Sequence, residues 1–165
     1  RLAPVHLWVS GEPAAALFTQ CRRLGVAQVR VQGPGDLGAR MAQAFQAGLQ
    51  CSLGVILVGS DAPSIDADYL QDAARQLQDK DLVLGPALDG GYVLIALKRF
   101  YPGLFEDIEW GSDRVLEATL RQARELNLEV GLLNALADID RPEDLRLLPE
   151  NLRRSIPASA MPPKL

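Results

Sequence analysis

The sequence predicts an α/β fold, a three-layer α/β/α domain with a mostly parallel mixed sheet. Short runs of β-branched and aliphatic residues alternate with segments of helical periodicity along most of the chain. The run Leu53–Val58 is almost unbroken aliphatic, which is typical of a strand that is buried on both faces, so we expect it to be a central strand. We expect one domain over residues 1–152 and a loose, proline-containing tail over residues 153–165.

The elements follow from local patterns. Strands are predicted where β-rich runs stand between turn residues, at Val5–Val9, Val26–Val31, Leu53–Val58, Asp81–Gly85, Tyr92–Leu97 and Leu128–Leu133. Helices are predicted where apolar residues recur at helical spacing, at Ala14–Leu24, Asp36–Leu49, Asp66–Gln78, Ser112–Leu126 and Asp140–Leu152.

Specific residues are predicted to mark the helix ends. Gly25 is placed to end the first helix in the left-handed conformation. Asp36 and Asp66 can each cap the N-terminus of the helix that follows. The segment Asp140-Arg-Pro-Glu143 resembles a capping box, so Asp140 is a candidate cap for the last helix.

Composition and charge exclude several classes of protein. Of the 165 residues, 21 are acidic and 17 basic, and a net charge of −4 argues against a broad surface for nucleic acid or anionic lipid. The longest apolar runs are about six residues, against the ~20 that a membrane span requires. Cys21 and Cys51 form no metal-binding or disulfide pattern, and His6 is the single histidine. We therefore expect a cytoplasmic protein with no membrane span and no nucleic-acid partner.

Aspartates stand just after three predicted strands, which is where open α/β sheets bind their ligands. Asp61 follows the run Leu53–Val58, Asp89 follows the next strand, and Asp138 and Asp140 follow the last one. Carboxylates without thiolates or imidazoles suit a hard cation such as Mg²⁺ or Mn²⁺ that is shared with substrate phosphates. Asp61, Asp138 and Asp140 are therefore the predicted metal ligands.

Each of these aspartates also has a structural interpretation. Asp61 could form an Asx turn, although Asp66 is better placed to cap the following helix. Asp89-Gly-Gly91 could form only a tight hairpin, or its glycines could let a ligand approach the backbone closely. Asp140 could serve as the helix cap, which leaves Asp138 as the better candidate ligand.

The segment Gly33-Pro-Gly-Asp-Leu-Gly38 has the Gly-x-Gly-x-x-Gly spacing between a predicted strand and a predicted helix. Such a loop could offer N–H groups to an anion, or it could be a plain loop before a helix start. No Walker lysine follows it.

Taken together, these motifs resemble a bacterial family of glycosyltransferase-like proteins with the nucleotide-diphospho-sugar transferase (GT-A) fold, often described as a domain of unknown function. The match covers about residues 5–150. The motifs are Gln32-x-x-Gly-Asp-Leu-Gly-x-Arg-Met41, Val58-Gly-Ser-Asp-Ala-Pro63, Leu84-Gly-Pro-Ala-x-Asp-Gly-Gly-Tyr92, Glu109-Trp110 and Asp138-Ile-Asp-x-Pro-Glu-Asp-Leu145.

The resemblance implies a nucleoside-diphosphate sugar that is held at the strand ends through a divalent cation. Asp61 stands where such folds carry the last aspartate of an Asp-x-Asp motif, but position 59 is Gly, so Asp138 or Asp140 would have to contribute. The residues that the resemblance suggests for substrate or nucleotide binding are Gln32, Gly35, Asp36, Ser60, Gly90, Gly91, Tyr92 and Trp110.

Two carboxylates are candidates for catalysis. Glu109 is the spare carboxylate best placed in the sequence to act as general base, and Asp89 would help to shape the sugar or acceptor pocket. The alternative for Glu109 is a solvated acid next to a packed indole, that of Trp110.

Family members also open with a first strand and a loop that reads like Ala-Pro-x-Pro-Gly-x-x-Lys-Thr-Arg-Leu, whose basic residues meet the nucleotide phosphates. Arg1-Leu-Ala-Pro4 is either a remnant of that loop or a coincidence. The resemblance therefore predicts that a central strand lies outside this sequence, between the runs at Val5–Val9 and Val55–Val58.

The sequence favours an enzyme that transfers a sugar from a nucleoside-diphosphate donor to a small-molecule acceptor with the help of a divalent cation. A nucleotidyltransferase of the same fold, joining a nucleoside triphosphate to a phosphorylated small molecule, is the alternative. A nucleotide-binding protein without turnover is a third. The donor base, the sugar, the acceptor, the stereochemical outcome and the oligomeric state are left open by the sequence.

Overall fold

The computed structural model describes residues 3–13, 16–148 and 150–154. The strands are β1 (Val5–Val9), β2 (Val26–Val31), β3 (Val55–Val58), β4 (Leu82–Pro86), β5 (Tyr92–Leu97) and β6 (Val130–Leu132). The helices are α1 (Ala16–Arg23), α2 (Leu37–Leu49), α3 (Ala67–Asp79), α4 (Val115–Glu125) and α5 (Glu150–Arg153). Two segments, Pro102–Phe105 and Pro142–Leu147, are 3₁₀ helices.

The strands form a parallel two-stranded sheet and a four-stranded sheet of mixed direction, which confirms the predicted α/β fold class. β1 and β2 pair in parallel. The second sheet has the order β3-β5-β4-β6, in which β5 is antiparallel to β3 and β4 while β6 is parallel to β4. Three of its four strands therefore share one direction, and their carboxyl ends lie at the same edge.

The predicted helix ends at Asp36, Asp66 and Gly25 are confirmed. The Asp36 carboxylate accepts a hydrogen bond from the Ala39 N–H at 2.8 Å, and Asp66 accepts one from the Tyr69 N–H at 2.8 Å. Each of these bonds satisfies an N–H group that the first turn would otherwise leave unpaired. Gly25 has a φ of +105°, the left-handed conformation expected after a helix.

The prediction that Leu53–Val58 is a central strand is not met within the described residues. β3 is an outer strand of its sheet, begins only at Val55, and leaves the Leu53 side chain 98% exposed. The strands that are buried are β4 and β5. Because β5 returns antiparallel and inserts between β3 and β4, it takes the central place that the aliphatic run suggested for β3.

The prediction that Asp140 caps the last helix is also wrong. The capping carboxylate is Asp144, which accepts hydrogen bonds from the Arg141 N–H at 2.8 Å and the Asp140 N–H at 3.2 Å. The segment that it caps is the 3₁₀ helix Pro142–Leu147, and the short helix α5 follows it. The side chain of Asp140 is thus available for a different role. The predicted tail beyond Arg154 lies outside the described residues.

The helix predicted from Ser112 begins at Val115, because residues 109–112 form a turn of their own. In that turn the Ser112 hydroxyl donates a hydrogen bond to the Glu109 carbonyl at 2.8 Å. The predicted start of α1 at Ala14 lies outside the described residues.

The core lies between the four-stranded sheet and the helices α2, α3 and α4. Its fully buried members include Phe45, Leu84, Leu94 and Leu104. None of the described residues between positions 3 and 31 is buried. Within the described residues β1 pairs only with β2, and β3 pairs only with β5. The runs Val5–Val9 and Val55–Val58 are therefore not hydrogen-bonded to each other.

None of the helices in the described ranges has the length and apolar character that crossing a bilayer requires.

Candidate functional site

Four aspartates lie at the edge of the larger sheet where β3, β4 and β6 end. Asp61 follows β3, Asp89 lies in the hairpin between β4 and β5, and Asp138 and Asp140 follow β6. The carboxyl edge is where the strand pattern predicts a ligand site.

Backbone hydrogen bonds bring these loops together. Beyond β6, the Leu136 N–H donates to the Pro86 carbonyl at 3.0 Å and the Leu88 N–H donates to the Leu136 carbonyl at 3.1 Å. The chain after β6 therefore continues alongside the β4–β5 hairpin. The Ile139 N–H in turn donates to the Asp61 carbonyl at 2.9 Å, which ties the loop after β3 to the same place.

Three carboxylates form a compact set. One oxygen from each of Asp89, Asp138 and Asp140 lies within 4.8 Å of the other two, and Asp138 is half-buried while the other two are exposed. Three oxygen donors at this spacing have the chemistry that a hard divalent cation requires. The predicted ligands Asp138 and Asp140 are thus joined by Asp89, which the sequence analysis placed among the catalytic candidates and expected to shape the pocket.

Asp61 does not belong to this set of three oxygens. Its carboxylate turns back over its own loop, into the space where a side chain on residue 59 would stand. Asp61 still lies close enough to raise the pKa of Asp138. The predicted metal role of Asp61 therefore stays a prediction.

Several carboxylates of like charge lie close together at this site and repel one another. Burial, together with the nearby charges of Asp89, Asp140 and Asp61, raises the pKa of Asp138 above its ordinary value, while a backbone hydrogen bond partly offsets the effect. Carboxylates at this separation disfavour one another's ionised form.

The hairpin that carries Asp89 is closed by its own hydrogen bonds. The Ala87 N–H donates to the Gly91 carbonyl at 3.0 Å, and the Asp89 carboxylate accepts from the Gly91 N–H at 2.9 Å. The turn interpretation of Asp89-Gly-Gly91 is thus confirmed, and the same turn also presents a member of the aspartate set.

Gly90 has a second reason to lack a side chain. Its φ is +97°, and a Cβ there would collide with the Asp113 carbonyl oxygen. The Leu116 N–H also donates to the Gly90 carbonyl at 3.0 Å. The close approach that the sequence suggested for a ligand is made by the chain itself, and it brings the start of α4 against the hairpin.

Tyr92 and Trp110, both predicted to contact substrate, pack inside the protein. The Tyr92 ring packs against two clusters of buried core residues. Its hydroxyl group is buried near that of Thr119, and neither hydroxyl group makes a hydrogen bond within the described residues. Burial raises the pKa of the Tyr92 hydroxyl far above its ordinary value. Trp110 packs its indole against Gly38, where a Cβ would lie 2.5 Å from Nε1.

Glu109, the predicted general base, lies at the surface before α4. Its side chain is 74% exposed and makes an ion pair with Arg114 at 2.9 Å. Arg114 was not singled out by the sequence patterns, and its position five residues after a candidate base is the only signal that could have indicated it. An ion pair as exposed as this one contributes little to stability.

The remaining predicted binding residues are divided between two places. Gln32 donates its side-chain amide to the Trp8 carbonyl at 3.3 Å, and the Gly35 carbonyl accepts from Arg40 Nε at 3.0 Å. Asp36 is used as the α2 cap. Ser60, Gly90 and Gly91 instead lie in the loops that carry Asp61 and Asp89.

The fold is shared with a solved crystal structure from Desulfovibrio desulfuricans G20, which is described as that of a "putative nucleotide-diphospho-sugar transferase". The two chains are 34% identical and superpose with a TM-score of 0.80, over 93% of this chain and 68% of the other. Among curated proteins, none matches this chain. A family model matches residues 1–112, and on that match the chain belongs to the bacterial family described as "Uncharacterized protein conserved in bacteria (DUF2064)".

Proposed function

We propose that this protein is a metal-dependent glycosyltransferase that takes its sugar from a nucleoside-diphosphate donor. The observation that carries the proposal is the set of three carboxylates, within 4.8 Å of one another, at the carboxyl edge of an α/β sheet. The similarity to a structure described as that of a nucleotide-diphospho-sugar transferase supports the donor class.

The cation would be held by Asp89, Asp138 and Asp140, with Asp61 close by. Carboxylate oxygens alone favour Mg²⁺ or Mn²⁺ over a metal that prefers sulfur or imidazole. When bound, such a cation neutralises the charge that develops on the leaving diphosphate.

Glu109 is the proposed general base. Its exposed carboxylate can accept a proton from an acceptor hydroxyl, and it pairs with Arg114, the residue before α4. The contact between Gly90 and residues 113–116 places this region next to the hairpin of Asp89.

The position of the lysines favours this assignment over a nucleotidyltransferase, which requires a cationic grip on a triphosphate. Among the described residues, Lys80 pairs with Glu129 and Lys98 donates to the Gln78 carbonyl. Both lysines lie where β4 begins and β5 ends, since Leu82 pairs with Leu97 there. That edge is opposite the aspartates.

A thermal-shift measurement tests the metal and nucleotide parts of the proposal. Uridine, guanosine and cytidine diphosphates are added to the parent protein with and without Mn²⁺. We expect at least one diphosphate to raise the melting temperature only in the presence of Mn²⁺, because a ligand that binds only the folded state stabilises it, by about 2.7 kcal/mol at a hundred times its Kd.

Asp138→Asn should lose this Mn²⁺-dependent shift, whereas Asp79→Asn, an exposed aspartate at the far end of α3, should keep it. An Mn²⁺-dependent shift of parental size in Asp138→Asn would refute the proposed cation site. Release of nucleoside diphosphate from the matching nucleotide sugar then separates an enzyme from a protein that only binds.

A further inference from the structure

An open surface cavity of about 300 Å³ lies along the N-terminal half of α4, and its charged lining side chains are exposed. Five ionised side chains line it, namely Asp107, Glu109, Arg114, Glu117 and Arg121. Arg114, Glu117 and Arg121 lie three and four residues apart, so they share one face of the helix. Glu109 and Arg114 pair with each other, whereas the side chains of Glu117 and Arg121 make no hydrogen bond or ion pair within the described residues.

The cavity lies on the segment that packs against the hairpin of Asp89. Gly90 of the hairpin touches the Asp113 carbonyl, and the Gly90 carbonyl accepts from the Leu116 N–H at 3.0 Å. Ser112 and Arg114, the residues on either side of Asp113, both line the cavity. A molecule in the cavity would therefore contact the segment that packs against the hairpin of Asp89.

The lining indicates the chemistry of the occupant. Three carboxylates against two guanidinium groups leave a net negative charge, which disfavours an anionic ligand. Ala118 is the one apolar residue of the lining, which disfavours a lipid. Hydroxyl groups both donate and accept hydrogen bonds, so a polyhydroxylated, uncharged molecule matches both carboxylates and guanidinium groups. The volume is at the lower end of the ~300–1,000 Å³ of small-molecule sites, which favours a small molecule.

We propose that this cavity is the acceptor subsite and that the acceptor is a small, uncharged polyhydroxy compound of the saccharide class. This inference rests on the proposed glycosyltransferase function. Glu117 accepts and Arg121 donates hydrogen bonds to the acceptor hydroxyls. As the attacking hydroxyl oxygen forms its bond to the anomeric carbon of the donor, its proton passes to Glu109. The bond from that carbon to the diphosphate breaks, and the diphosphate leaves with the electron pair.

The test measures saccharide binding directly, by NMR titration of the parent protein with D-glucose, D-mannose, N-acetyl-D-glucosamine and D-glucose 6-phosphate. At least one neutral sugar should bind, and more tightly than the phosphorylated one. Arg121→Ala and Glu117→Gln should each weaken that binding about ten-fold or more, the effect of losing one hydrogen bond to a charged group. Arg124→Ala and Glu125→Gln, exposed positions of the same helix outside the cavity, serve as matched controls and should not change it.

Three results would overturn the acceptor subsite: no neutral sugar of the set binds, the phosphorylated sugar binds more tightly, or the cavity variants behave like their controls. Mn²⁺-dependent binding of nucleoside diphosphate is measured on the same samples. If the nucleotide binds and no saccharide does, the acceptor subsite is wrong and the proposed function still stands. Saccharide binding without nucleotide binding at any Mn²⁺ concentration defeats the proposed function and, with it, the acceptor role.

Discussion

At the scale of single residues, the aspartates at the sheet edge are held together against their mutual repulsion. Burial and three neighbouring carboxylates raise the pKa of Asp138. The folded protein therefore binds a proton at this position more tightly than the unfolded chain does. This is the pattern of a site in which binding geometry is maintained at the expense of stability.

Asp138→Asn should therefore make the protein more stable at neutral pH. A raised folded-state pKa means that stability is lost as the pH rises from the unfolded-state pKa, near 3.8, through the higher folded-state value. The Asn side chain stays uncharged at every pH, so the variant does not lose this stability as the pH rises. Urea unfolding at pH 7 and pH 4 checks the prediction, and the gain over the parent should be larger at pH 7. A less stable variant at pH 7, with Asp79→Asn unchanged, would contradict it.

Gly90→Ala tests the contact between the hairpin and α4. Gly90 has a φ of +97° and no room for a Cβ beside the Asp113 carbonyl, whereas Gly111 has a φ of +86° and open space around it. Gly111→Ala thus carries only the backbone strain, about 1–2 kcal/mol. Gly90→Ala adds a collision with main-chain atoms and should cost more in free energy of unfolding. If Gly90→Ala and Gly111→Ala lose the same free energy of unfolding in urea, the hairpin can move away from the Asp113 carbonyl without a loss of stability.

At the scale of elements, local hydrogen bonding decides where the helices begin, and long-range pairing decides which strands are central. Asp36 and Asp66 cap their helices as their sequence positions predict. The last segment differs because Pro142 starts a 3₁₀ helix one residue later than the capping-box pattern suggests, and Asp144 becomes the capping carboxylate. That shift leaves Asp140 for the aspartate set.

Asp144→Ala should destabilise the segment Pro142–Leu147 by about 1 kcal/mol, the usual value of a capping side chain. The expected signature is faster hydrogen exchange at the Arg141 amide, which now donates to Asp144 at 2.8 Å. Asp140→Ala, the matched control, should leave that exchange rate unchanged. Faster exchange at the Glu143 or Asp144 amide in Asp140→Ala, with no change in Asp144→Ala, would restore Asp140 as the cap.

At the scale of the whole molecule, stability is unevenly distributed. Among the described residues, the buried ones all lie between Gly38 and Leu133, in the four-stranded sheet, its helices and the segments that connect them. The described residues of the β1–α1–β2 unit contribute no buried side chain, and Leu24 is 82% exposed. A segment with few buried apolar contacts opens at low free-energy cost.

We therefore expect hydrogen exchange at the amides of β2 to be much faster than at those of β5, measured by mass spectrometry under native conditions. The amides of β5 pair with strands on both sides and should exchange only on global unfolding. Protection of β2 equal to that of β5 would mean that the first unit is covered by another surface in solution.

The sequence by itself determined the features that depend on neighbours along the chain. The strands at Val5–Val9, Val26–Val31 and Tyr92–Leu97, the caps at Asp36 and Asp66, and the turn at Asp89-Gly-Gly91 follow from periodicity, short side-chain acceptors and glycine conformations within a few residues. The sequence also shows aspartates after the strands β3, β4 and β6, because each of these strand patterns ends within a few residues of one.

Only the tertiary structure decided which of these aspartates come together. Asp89 joins Asp138 because the Leu136 and Pro86 backbones are hydrogen-bonded across 50 positions of sequence, and no local pattern encodes that pairing. The central place of β5 and the closeness of α4 to the hairpin at Gly90 have the same origin. Local preferences act over a few residues, whereas register and strand order are settled by the packing of the whole sheet.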